Sequence, residues 1–100
     1  MRYTLIAEDR ANSLAVRRAD RSEYLERQRA LQDEGRQLLA GACPAINAPT
    51  PDPGGFRGSL IAAEFYSCAA AQRWAKRDSY ALAGNYARLT IKPFCQVLPA

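Results

Sequence analysis

SLIAAEFYSCAAAQRWA, residues 59–75, contains a strand and a helix joined without a linker. Ser59 to Tyr66 is an apolar run of strand length, mixing aliphatic and aromatic side chains. Ser67 follows, a residue type whose hydroxyl accepts a hydrogen bond from a free amide in the first turn of a helix. Beyond it Ala71, Trp74 and Ala75 recur at i, i+3 and i+4, the spacing of one buried helix face. Lys76 and Arg77 fall in the last turn, where positive charge opposes the negative end of the helix dipole. At this spacing Trp74 belongs to the core rather than to a ligand platform.

Further along the chain, Asp78-Ser79-Tyr80 opens a short turn that Gly84 closes. Tyr86 to Lys92 then alternates, with Ala87, Leu89 and Ile91 on one face and Tyr86, Arg88, Thr90 and Lys92 on the other. This strand is expected to stop or bend at Pro93. Toward the N-terminus, residues 44–58 (PAINAPTPDPGGFRG) carry four prolines and three glycines, so a long loop is predicted there. Loops of that length are often lids, binding segments or partner contacts. Gln37 to Ala42 reads as a strand, preceded by a helix that starts near Asp20 and ends at Gly35. Asp20 and Glu23 have the spacing of a reciprocal cap. Tyr24, Gln28 and Leu31 share the inner line of this helix, with Leu25 beside them, and Glu23/Arg27 and Arg29/Asp33 are spaced to pair on its wet face. A short helical turn precedes it, and RYTLIA, residues 2–7, alternates as the first strand.

The order β-α-β-β-α-β defines an α+β, ferredoxin-like sandwich with both helices on one face of an antiparallel sheet. The other face is left bare, with Tyr3 and Phe65 as the expected occupants. A second copy covering it would give a homodimer. One hundred residues make one domain, 1–100. Nineteen alanines leave 29 larger apolar, aromatic or cysteine residues for the core, which is modest. Residues 1–36 interleave eight basic and seven acidic side chains, so the net charge of +4 forms no phosphate track and no nucleic-acid partner is expected. No apolar run has the length of a membrane span and no signal-peptide pattern opens the chain, which points to the cytoplasm. Cys43, Cys68 and Cys95 are widely spaced and histidine is absent, so neither a metal nor a cofactor is expected, and each cysteine reads as a small buried apolar side chain.

One set of short motifs, taken in order, carries a resemblance. It comprises Arg17-Arg18, Arg21, Leu25, Gly35-Arg36, Ala40-Gly41 with Pro44, and Gly55-Phe56 with Gly58-Ser59. It continues with Ala70-Ala71, Trp74-Ala75, Asp78 with Tyr80, Ala83-Gly84 with Tyr86, and Lys92-Pro93-Phe94. Over almost its whole length the chain resembles the YciI-like (YCII-related) proteins. The resemblance implies a small cytoplasmic dimeric α/β barrel whose cleft bears a histidine and aspartate pair proposed as catalytic. A related branch eliminates chloride from a chlorinated hydroxyhydroquinone, which implies lyase- or isomerase-type acid–base chemistry on a small hydroxylated aromatic or anionic molecule.

Tyr24 stands where that family has its histidine, Ser79 replaces the proline after Asp78, and Ala42 replaces the proline after Gly41. A phenol with a pKa of about 10 is a poor base at neutrality, but it donates hydrogen bonds to a carbonyl or enolate oxygen. Asp78 is thus the expected proton acceptor and Tyr24 its partner. Arg17 and Arg21 are candidates to bind a carboxylate or phenolate, with Ser59 and Tyr80 as further ligand contacts. The rival expectation is a non-catalytic dimer that binds a small anion, or an accessory protein, having lost turnover with the histidine. The same residues also have ordinary structural uses, Asp78 as a turn cap, Tyr24 on an apolar stripe and the arginines as solvated surface.

Overall fold

The computed structural model describes residues 1–50 and 55–99. Four strands, β1 (Arg2–Asp9), β2 (Gln37–Pro44), β3 (Phe56–Glu64) and β4 (Tyr86–Phe94), form one antiparallel sheet in the order β2-β3-β1-β4. Between them run α1 (Leu14–Ala19), α2 (Arg21–Asp33), α3 (Cys68–Lys76) and α4 (Ser79–Leu82). This is the expected α+β ferredoxin-like sandwich. None of the described helices is long and apolar enough to cross a membrane.

Local chemistry explains most of the boundaries. Ser67 Oγ accepts from the Ala70 amide at 3.1 Å and starts α3. Gly35, at φ +71°, supplies the left-handed residue that ends α2, and its amide donates back to Gln32. Asp20 does not cap α2 with its side chain. It also closes α1 as the residue after Ala19, and its backbone (φ −106°, ψ 10°) lacks the extended geometry a cap needs. Neither predicted surface pair on α2 forms, and Arg27 turns from Glu23 to the Trp74 carbonyl.

The proline-rich connection is shorter than predicted. β2 runs on to Pro44 and β3 begins at Phe56, with the Ala45 amide bonded to the Gly55 carbonyl at its base. Residues 51–54 of the predicted loop lie outside the described residues. β4 continues through Pro93 to Phe94, which an edge strand tolerates because one side of its backbone needs no ladder partner.

Pairing shows which face is covered. Leu5 lies opposite Ile61 and Ile91, and with Tyr3, Leu31, Ala63, Phe65, Ala71 and Ala75 it forms the buried core beneath the helices. Tyr3 and Phe65 are therefore on the covered face, contrary to the sequence reading, since alternation separates two faces without saying which one the helices take. The bare face carries Ile6, Leu60 and Leu39 at 42%, 39% and 52% exposure, with Ile6 directly opposite Leu60. Tyr86 also changes sides. Two β4 residues oppose one of β1 where Glu8/Arg88 is followed by Asp9/Tyr86, and this bulge turns Tyr86 toward the helices. The cysteines are less buried than expected. Cys43 lies on the edge strand β2 and Cys95 beyond β4, both exposed, while Cys68 is half-buried, and all three are free thiols.

Candidate functional site

A cleft of about 510 Å³ opens between α1, α2 and the β2 side of the sheet. Arg17, Arg18, Arg21, Arg29, Tyr24 and Tyr80 shape it. Gln28, Gln32, Gln37 and Phe56 add to the wall, and no carboxylate lines it among the described residues. The helical period explains this gathering, since Arg21, Tyr24, Leu25, Gln28, Arg29 and Gln32 occupy one side of α2.

Arg17 is the most constrained member. Its side chain is 5% exposed, and that of its partner Asp9 is fully buried. Nε and Nη2 reach the two Asp9 oxygens at 2.6 and 3.0 Å, and Nη2 also donates to Ser59 Oγ at 2.8 Å. Burial alone would lower the Arg17 pKa, but the hydrogen bond and charge of Asp9 outweigh it and hold the guanidinium above its ordinary value. The guanidinium carbon lies 4.9 Å from the Tyr80 ring centroid and 5.1 Å from that of Phe56. Arg17 is thus a fixed cation between two aromatic faces.

Tyr24 and Tyr80 stack at 4.3 Å with an interplanar angle of 12°. The Tyr80 hydroxyl donates to the Arg17 carbonyl at 3.2 Å, which ties α4 to α1. Burial, then the negative charge of Asp78, pushes the Tyr24 phenol up to about 12, with Ser59 and Arg17 opposing. Tyr24 therefore remains protonated through the neutral range, as a donor rather than a base.

Asp78 does not line this cleft. It is buried on the inner side, against a small void bounded by Leu5, Ser59, Trp74, Ala75 and Tyr86. Oδ1 accepts from the Tyr80 amide at 2.8 Å, so Asp78 is indeed the cap of α4, and Oδ2 accepts from the Tyr86 hydroxyl at 3.2 Å. Burial raises its pKa, against the lowering effect of those two bonds and of Arg27. Burial, then Asp78's charge, likewise raises the Tyr86 phenol. The structure brings Arg17, Arg21, Tyr24 and Tyr80 to one cleft and leaves Asp78 and Ser59 one layer inward.

Sequence reading missed Asp9, Tyr86 and the glutamine pair. Gln37 Nε2 donates to Gln28 Oε1, and Gln28 is buried with its own amide nitrogen unpartnered. Asp9 had a sequence signal, a carboxylate one alternation beyond the apolar line Tyr3, Leu5, Ala7. No cluster of three or more His, Cys, Asp or Glu side chains is placed to hold a metal among the described residues.

The chain has relatives in sequence and in fold. Protein YciI of Escherichia coli O6:H1 and of Shigella flexneri are each 45% identical to this chain over 97 residues, covering 97% of it and 99% of each relative. An uncharacterized protein of Haemophilus influenzae is 43% identical over the same length, with the same coverage. Among solved structures, the 5-chloro-2-hydroxyhydroquinone dehydrochlorinase TftG of Burkholderia phenoliruptrix, in complex with 2,5-dihydroxybenzoquinone, superposes with a TM-score of 0.84. Its sequence identity is 21%, over 97% of this chain and 96% of that one, so the likeness is one of fold. The YCII-related domain matches residues 1–95, and with relatives this similar along their entire length, the chain belongs to the YCII-related family.

Proposed function

We propose that the cleft binds a small planar anion of the hydroxylated-aromatic class and promotes a lyase- or isomerase-type step on it. The observation that carries this reading is four arginines around a stacked tyrosine pair, of which Arg17 is held by Asp9 while Arg18, Arg21 and Arg29 have no ion-pair partner among the described residues. Guanidinium groups recognise carboxylate or phenolate oxygens, and aromatic faces accept a planar ring. Tyr24 donates a hydrogen bond, keeping its proton, to the oxygen on which charge develops; in an elimination the substrate's own proton passes to solvent water in the open cleft and the leaving group departs as an anion beside the arginines. Asp78 lies too deep to touch the ligand directly and supports the cleft by capping α4, which carries Tyr80. The hydroxylated quinone bound to TftG suggests the probe.

Calorimetry with 2,5-dihydroxybenzoquinone should give saturable binding that weakens about tenfold in Arg21→Gln, the loss of one charge-assisted hydrogen bond. Turnover is followed over a panel of chlorinated hydroquinones. Tyr24→Phe should lower kcat by about 10²-fold with affinity nearly unchanged, because the hydroxyl acts mainly in the transition state. Since Tyr24 ionises only near 12, the parent's rate should show no Tyr24 inflection between about pH 5 and 9. Tyr24→His introduces a group titrating near 6.5 and should create one. The absence of a carboxylate from the described lining favours a second reading, a binder without turnover. It predicts that Tyr24→Phe lowers affinity and that no panel member reacts. Failure of every probe to bind refutes both.

We also propose that the bare face of Ile6, Leu39 and Leu60 pairs with that of a second copy as a homodimer. Light scattering at micromolar concentration should give a mass of about 22 kDa, twice the chain's 11.0 kDa, and Leu60→Asp should yield monomers. A parent that stays monomeric overturns the pairing.

A further inference from the structure

A second cavity, of about 280 Å³, shares no lining residue with the cleft. Its walls are Arg27, Arg36, Arg73 and Arg77 around Phe65, Tyr66 and Trp74, with Ala70 beside them. The floor is layered. The Arg27 guanidinium carbon sits 4.5 Å from the Trp74 ring centroid, Trp74 packs against Phe65 at 5.5 Å, and Arg36 lies 5.3 Å from Phe65. Trp74 thus has one side on the core, as its helical spacing predicts, and the other in this groove.

Charge here is poorly compensated. Arg36 is paired with Glu34 at 2.6 Å, but Arg27, Arg73 and Arg77 form no ion pair among the described residues. The buried Asp78 acts on Arg27 only through its field, and Lys76 adds a further cation to the same turn of α3. Arg27 Nη2 donates to the Trp74 carbonyl at 2.9 Å, while its Nη1 is buried without an acceptor. A buried, unpartnered guanidinium N–H is costly, and three guanidinium groups around one hollow repel each other unless an anion enters. At its rim Tyr66 is 96% exposed, an aromatic face presented to solvent.

We propose that this groove binds a small phosphorylated molecule with a planar ring, of the nucleoside monophosphate class. The phosphate is held by Arg27, Arg73 and Arg77, and the ring lies on Tyr66. Phosphate oxygens match the fork of a guanidinium, and a base stacks on an aromatic side chain whatever its identity. The hollow is at the small end of ligand cavities, which suits one nucleotide rather than a larger cofactor.

Trp74 is the only tryptophan, so its fluorescence reports on the groove without a label. Adenosine monophosphate should change that emission saturably, inorganic phosphate should bind more weakly, and adenosine alone more weakly still. Arg73 is exposed on α3, where alanine keeps the helix, and Arg77 is exposed just past its end, so the double variant Arg73→Ala/Arg77→Ala should fold, as circular dichroism will confirm. It should weaken nucleotide binding at least about tenfold. Tyr66→Ala should weaken the nucleotide but leave inorganic phosphate unchanged. The proposal fails if millimolar nucleotide gives neither a fluorescence change nor heat, or if the double arginine variant binds as the parent does. It also fails if chloride or sulfate competes as well as the nucleotide. Binding of a single-stranded oligonucleotide where the mononucleotide does not bind would assign the arginines to a polymer instead and would likewise overturn it.

Discussion

Asp9→Ala should lower the unfolding free energy by about 3–5 kcal/mol, the cost of leaving a buried charge without its partner. The Asp9 side chain is fully buried and that of Arg17 almost so, and the carboxylate accepts both guanidinium bonds. In the variant the guanidinium keeps only Ser59 Oγ and the aromatic faces of Tyr80 and Phe56. The double variant Asp9→Ala/Arg17→Met removes both charges and fills much of the same space, so it should recover most of that loss. Denaturant melts of the parent, both single variants and the double variant close the cycle. Strict additivity of the two single losses would mean that the pair is not energetically coupled.

Gly58→Ala should be more damaging still. Gly58 is in the interior of β3, paired with Glu8 on one side and Cys43 on the other. A Cβ there would stand 2.1 Å from the Ala7 carbonyl oxygen and 3.2 Å from its carbon, in the backbone of the central strand. An overpacked side chain commonly costs about 1–3 kcal/mol because neighbours can rotate away. A ladder carbonyl cannot, so the expected loss exceeds that range and the protein is expected to be largely unfolded at 25 °C. Gly41→Ala is the control, since its Cβ would meet nothing within 4 Å. Equal unfolding midpoints for the two variants would show that β1 and β3 move apart freely.

Periodicity and capping made the architecture legible. Ser67 and Gly35 act as their residue types require, and the line Tyr24, Gln28, Leu31 on α2 is buried as its spacing predicts. The reading failed where one extra residue or one unseen neighbour decided the outcome. The bulge after Glu8 carried Tyr86 to the helix side, and only the folded sheet shows that α3 rather than solvent meets Tyr3 and Phe65. For the candidate site, the family resemblance led to Tyr24, Arg17, Arg21 and Tyr80. It could not give depth. Asp78 and Tyr24 are close enough for the carboxylate's charge to act on the phenol, yet only the tyrosine reaches the cleft. Asp9 was overlooked because its role depends on Arg17, which reaches it through the fold of α1 over the sheet.

The sheet order sets the sequence of events as the molecule forms. β1 is flanked by β3 and β4, with Arg2 opposite Glu64 on one side and Phe94 on the other. The first strand of this sheet to be synthesised therefore occupies an inner position and must wait for the last before its second edge is satisfied. Loop closure over such separations is paid before the ladder rewards it, which slows the search for the native state. During synthesis, β2 and β3 can zip as neighbours while β1 still has one open edge. That edge is the point at which a nascent chain would most readily be captured by another copy of itself, or guarded by a chaperone.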